Sequence, residues 1–130
     1  MIFRKWTIGT ALLCAMLPIE GHALTESNFS ARTTGDLIEL CDPTSDSAVA
    51  NAGVNFCHGF AQGAVSVEMQ SQMTPRSVKL FCMPDPLPSR TETIHEFVVW
   101  ARASADRTAL TSTDGLMRFL GERFPCPKAR

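Results

Sequence analysis

Apolar positions recur at three- and four-residue steps through most of this chain, and four such stretches predict helices. Leu37, Ile38, Leu40 and Cys41 mark the first. Thr33 or Thr34 is placed to cap it, and Asp36 falls in the first turn, where a carboxylate favours the helix dipole. Asp42-Pro43 stops it. Ser45 or Ser47 can then cap a long second helix, which carries Val49, Ala52, Gly53, Phe56, Phe60, Gly63, Ala64 and Val67 and ends near Ser71. Ser89 and Glu92 fit the S-x-x-E capping box ahead of Ile94, Phe97, Val98 and Ala101, a third helix that fades near Ser104. Ser112 or Thr113 caps a fourth, with Leu116, Phe119, Leu120 and Phe124 on one stripe and Pro125 as its stop.

Between the second and third helices lies "FCMPDPLPSR", whose prolines at 84, 86 and 88 forbid helix or inner strand and leave a rigid loop. Only the few residues around Val78 and Leu80 alternate with period two. The predicted class is all-α: a small four-helix bundle-like domain. Phe56, Phe60, Phe97, Phe119 and Phe124 are expected in one core with Trp100 at its edge. Gly59 and Gly63, four apart on one helix face, are expected to let another backbone approach closely or to let the disulfide and Phe60 pack, with partner binding as the second reading.

The chain's beginning reads differently. Arg4 and Lys5 precede an almost wholly apolar run from Thr7 to Ile19, and Gly21-His22-Ala23 follows Pro18 with a small residue last, the three-part form of a secretory signal. Cleavage after Ala23 is expected, giving a signal peptide over residues 1–23 and one domain over residues 24–130. The apolar run is too short to span a bilayer, so no stable membrane anchor is expected. Leu13 stands where lipidation of Cys14 would need a small residue, so Cys14 is expected to leave with the signal. The formal net charge is −1 and no run of like charges occurs, which gives a phosphate backbone nothing to bind; nucleic acid is not an expected partner.

Four cysteines remain: Cys41, Cys57, Cys82 and Cys126. An even count in a small exported domain points to two disulfides, and the absence of a C-x-x-C pair argues against zinc. Of three possible pairings, we expect Cys57 with Cys82, the proline loop folding back on the long helix, and Cys41 with Cys126, tying the first helix to the chain end. Cys57 stands beside His58, but neighbours on a helix point about 100° apart and cannot act as nucleophile and base. A c-type haem needs C-x-x-C-H, and Val54 occupies the first of those positions. His58 and His95 have no carboxylate cluster to complete a metal site. No metal, cofactor or catalytic role is expected, and the chain reads as a non-enzyme.

The succession "DLIELC", "CHGFAQG", "FCMP" and "FPCP" resembles the Tai-type immunity proteins of bacterial type VI secretion, a family that also has Rap-type members, over about Thr33 to Pro127. The resemblance implies a periplasmic helical protein that binds and inhibits a peptidoglycan-cleaving amidase effector by occluding its active site. This sequence departs from the family pattern at "ASADRTAL" after the third helix and in the longer "PTSDSAVANAGVN" segment. Both are connections, where loops on a rigid scaffold carry recognition. Asp85 and Arg90 in the proline turn, and Asp106 and Arg107 in the turn from Ser104 to Thr111, are the expected partner contacts. The alternative is a general periplasmic stress or chaperone-like protein with no toxin partner. A homodimer stays open.

Overall fold

The computed structural model describes residues 23–128; the expected signal sequence and Cys14 lie outside them, but for Ala23. Among the described residues the fold is all-helical. A 3₁₀ turn, Glu26–Ser30, is followed by α1 (Thr34–Cys41), α2 (Ala48–Gln72), α3 (Arg90–Arg102), α4 (Ala105–Thr108) and α5 (Ser112–Arg123). The 3₁₀ turn and the single turn α4 are the elements that periodicity does not reveal. The short pair around Val78 and Leu80 is irregular backbone.

The caps follow the chemistry of the short polar residues. Thr33 Oγ1 accepts the Asp36 N–H at 3.1 Å while the Asp36 carboxylate accepts the Thr33 N–H at 3.0 Å, a reciprocal box that closes the start of α1. Ser47 accepts from Ala50 N–H at the start of α2, and Ser89 accepts from Glu92 N–H at the start of α3. The α5 cap is Thr111, one residue earlier than expected, and it accepts from Asp114 N–H at 3.2 Å. Ser112 is unavailable as a cap because its hydroxyl donates to the carbonyls of Ala31 and Thr33, the latter at 2.9 Å.

That diversion joins the starts of α1 and α5. Thr34 N–H donates to Leu110 O, Thr34 Oγ1 donates to Thr111 O, and Ser112 N–H donates to Arg32 O. Thr34 is wholly buried in this splice, and a β-carbon built on Gly115 would lie 2.0 Å from its hydroxyl and 3.0 Å from its own Cβ. Gly115→Ala should therefore lose about 1–3 kcal/mol to overpacking, despite the gain in helix propensity. A urea midpoint at or above that of the parent would show that the two helix starts are not so closely seated.

α1 is short but central, touching α2, α3 and α5, which is why Leu37, Ile38 and Leu40 are all buried. Phe97 packs with Trp100 and Phe119 at centroid distances of 5.5 to 6.2 Å, and Phe124 closes the cluster. Two aromatic expectations need correction. Phe56 is 36% exposed, and half-buried Phe60 lies at the core's margin; Phe29 and Phe60 pack against the core from outside, and the Phe56 ring meets both. Phe81, in the irregular segment before the proline loop, is wholly buried instead. Gly59 and Gly63 face open space, with nothing within 4 Å of a β-carbon at either, so neither serves packing.

All four expected cysteines are crosslinked, but the pairing differs. Cys41 bonds Cys57 across 16 residues and Cys82 bonds Cys126 across 44. α1 and α2 are neighbours in sequence and pack directly, so their cysteines meet first. Cys82, at the start of the proline loop, is held at the end of α5, where its N–H donates to Phe124 O at 2.8 Å, and the rest of the loop faces α2 without bringing Cys82 to Cys57.

Candidate functional site

α2 has 25 residues and α1 only 8, so the second half of α2 runs on past the helix that buries its first half. Along that overhang Ala61, Val65 and Met69 stand at four-residue steps on one face. The proline loop contributes Met83, Leu87 and Pro88 opposite them, and the first turns of α3 contribute Arg90, Thr93 and Ile94. Together they enclose a groove of about 230 Å³ whose floor reaches Leu37 and Phe97 in the core. Met69 and Leu87 form its lips, 45% and 69% exposed.

Arg90, the first residue of α3, sits at the mouth. Its guanidinium donates to the Gln62 side-chain carbonyl on α2 at 2.6 Å and spans the groove's end. Asp85 is exposed on the proline loop outside it. The loop's own residues marked it by its prolines but gave no sign of the cavity behind it. The readable signal was the apolar stripe of α2 continuing beyond the length that α1 can cover.

The other expected contacts lie elsewhere. Asp106 is exposed on α4, but Arg107 is half-buried and engaged: it donates to Trp100 O at 2.8 Å, lies 4.5 Å over the Trp100 ring and faces Glu122 at 3.8 Å. Trp100 Nε1 donates to Glu122 at 2.7 Å. That indole N–H, with the Arg118 and Arg107 guanidiniums, holds the Glu122 carboxyl below its ordinary value. Arg123 hydrogen-bonds Glu96 and lowers that carboxyl in the same way. α3 has 13 residues and so separates the two patches by about 18 Å of helical rise. The structure does not bring Asp85 and Arg90 together with Asp106 and Arg107.

The chemistry around Cys57 is settled by its bond to Cys41: a half-cystine cannot be a nucleophile, whatever His58 beside it does. Among the described residues no group of three or more His, Cys, Asp and Glu side chains is arranged to hold a metal ion. No described helix is long and apolar enough to cross a membrane.

Residues 33–126 match the model of the Rap1a immunity proteins. No curated protein and no solved structure matches the chain. Among the described residues, the matched stretch opens on the Thr33 cap of α1 and closes on Cys126, taking in both disulfides, helices α1 to α5 and the groove. The chain therefore belongs to the Rap1a immunity protein family.

Proposed function

We propose that this chain is a periplasmic inhibitor of a peptidoglycan-cleaving amidase delivered by type VI secretion, and that it acts by covering the amidase active site. The family match carries this reading, since an immunity protein works by binding a secreted effector protein. Two disulfides in a chain of this size support an oxidising compartment, consistent with export by residues 1–23. The proline turn supports occlusion, because a segment stiffened by Pro84, Pro86 and Pro88 and anchored at Cys82 loses little freedom on docking. Asp85 and Arg90 are the proposed contacts on that turn and Asp106 is a second, at the far end of α3. Arg107 contributes by holding α4 against Trp100.

The test is enzymatic. A peptidoglycan amidase found encoded next to this chain, purified and supplied with crosslinked peptidoglycan, should lose its activity as the mature protein is added, reaching full inhibition near one equivalent. Undiminished turnover with excess protein would sink the reading.

A further inference from the structure

We propose that the groove between α2 and the proline loop is the seat of an apolar anchor side chain of the effector, flanked by an effector carboxylate that pairs with Arg90. The proposal rests on the immunity reading above and names the chemistry that the partner must bring.

Size decides the kind of occupant. At about 230 Å³ the groove exceeds an apolar cavity of about 150 Å³, which takes a benzene ring, and falls short of the roughly 300–1,000 Å³ of pockets that enclose whole small-molecule ligands. It fits one large side chain, or two smaller ones, carried on a surface that covers the rest. The lips agree with that. Met69 and Leu87 are left exposed by the fold and become buried only when a second surface lies across the opening. Met69 and Met83 on opposite walls are unbranched and adaptable, suited to shaping around an inserted group. The loop wall is preformed, tied to α5 through Cys82–Cys126 and the Cys82 N–H bond to Phe124 O, so closing on an anchor requires little ordering.

Charge names the flank. Among the arginines of the described helices, Arg102, Arg107, Arg118 and Arg123 each face a carboxylate within the molecule. Arg90 alone among them has only the neutral Gln62 amide. Its remaining N–H donors lie at the mouth of an apolar groove, where a bidentate carboxylate makes a stronger, charge-assisted bond than an amide does. An effector segment with Leu, Met or Phe beside Asp or Glu satisfies both features.

Three variants test this by calorimetric titration against the same effector, each checked by its thermal melt. Val65→Trp fills the groove, Leu87→Ser removes an exposed lip with little risk to folding, and Arg90→Glu reverses the charge. Val65→Trp and Arg90→Glu should each weaken binding by about 30-fold or more, the scale of an interface hot spot, and Leu87→Ser by about 5-fold or more. If Val65→Trp fails to fold, the other two decide the outcome. Parent binding with all folded variants equal to it overturns the groove proposal and leaves the immunity reading standing; no binding by the parent overturns both. Two further outcomes also overturn it: saturable binding of decanoate lost in Val65→Trp while effector affinity is unchanged, or a parent dimer split by Val65→Trp with effector affinity unchanged. The first assigns the groove to a small amphiphile and the second to another copy of this chain.

Discussion

Replacing Cys82 and Cys126 together with alanine is expected to cost about 4 kcal/mol of stability, against about 3 kcal/mol for the Cys41 and Cys57 pair. The difference follows from the chain released: 44 residues of separation in the first case and 16 in the second, with the unfolded ensemble gaining more freedom from the longer loop. A domain of this size commonly has only about 5–15 kcal/mol to lose, so the first substitution alone removes a large share. It also acts locally. Residues 78–88 contain no helix, and the bond to Cys126 and the one backbone hydrogen bond to Phe124 hold this stretch to α5. The proline wall of the groove should therefore loosen as stability falls, and binding should weaken by more than the fraction of unfolded protein explains. Denaturant titration of both paired variants under non-reducing conditions checks the order. A larger loss for the Cys41 and Cys57 pair would mean that the proline loop is held by its side-chain packing and that the crosslink adds little.

The helices were legible because their signals are local. Thr33 with Asp36, Ser47 and Ser89 each stand three residues before an N–H in need of an acceptor, and that geometry is written in the spacing. What was not legible depended on which distant elements meet. The cysteine pairing required knowing that the start of the proline loop is held at the end of α5, and nothing in its composition says so. Phe56 sits at helical spacing with Phe60, but α1 is too short to cover both sides of α2, so the spacing overstates the buried face. The same blindness affected the glycines. Gly53, on the same helix, is the residue at a close crossing, where a β-carbon would meet Leu24 at 2.9 Å and Leu40 at 3.3 Å, while Gly59 and Gly63 meet nothing. Periodicity finds a face; only the partner's length decides how much of it is buried.

Phe81→Ala is the single substitution expected to cost most, about 3–5 kcal/mol, the range for emptying a fully buried phenylalanine site. Phe81 is wholly enclosed in the main core although it belongs to no helix, and its neighbours fix it there: Cys82 is bonded to Cys126, and Leu80 O lies 2.9 Å from where a β-carbon on Gly121 would stand. Such a site cannot collapse easily onto the vacancy, because the backbone carrying residue 81 is tied to α5 on one side and the stiff loop follows on the other. Phe60→Ala, at a half-buried position, should cost clearly less. Urea midpoints of the two variants check the order, and equal losses would show that the margin of α2 is as well packed as the centre. The bond between Cys82 and Cys126 supplies a sharper version of the test. With that bond removed the segment is free to swing away from α5, so losing the Phe81 ring should then cost less than it does in the crosslinked protein. Adjacent sites that share a backbone segment are expected to couple in this way, and the triple variant should fall short of the summed losses. Strict additivity would show that Phe81 is held by the core itself and that the crosslink has no part in seating it.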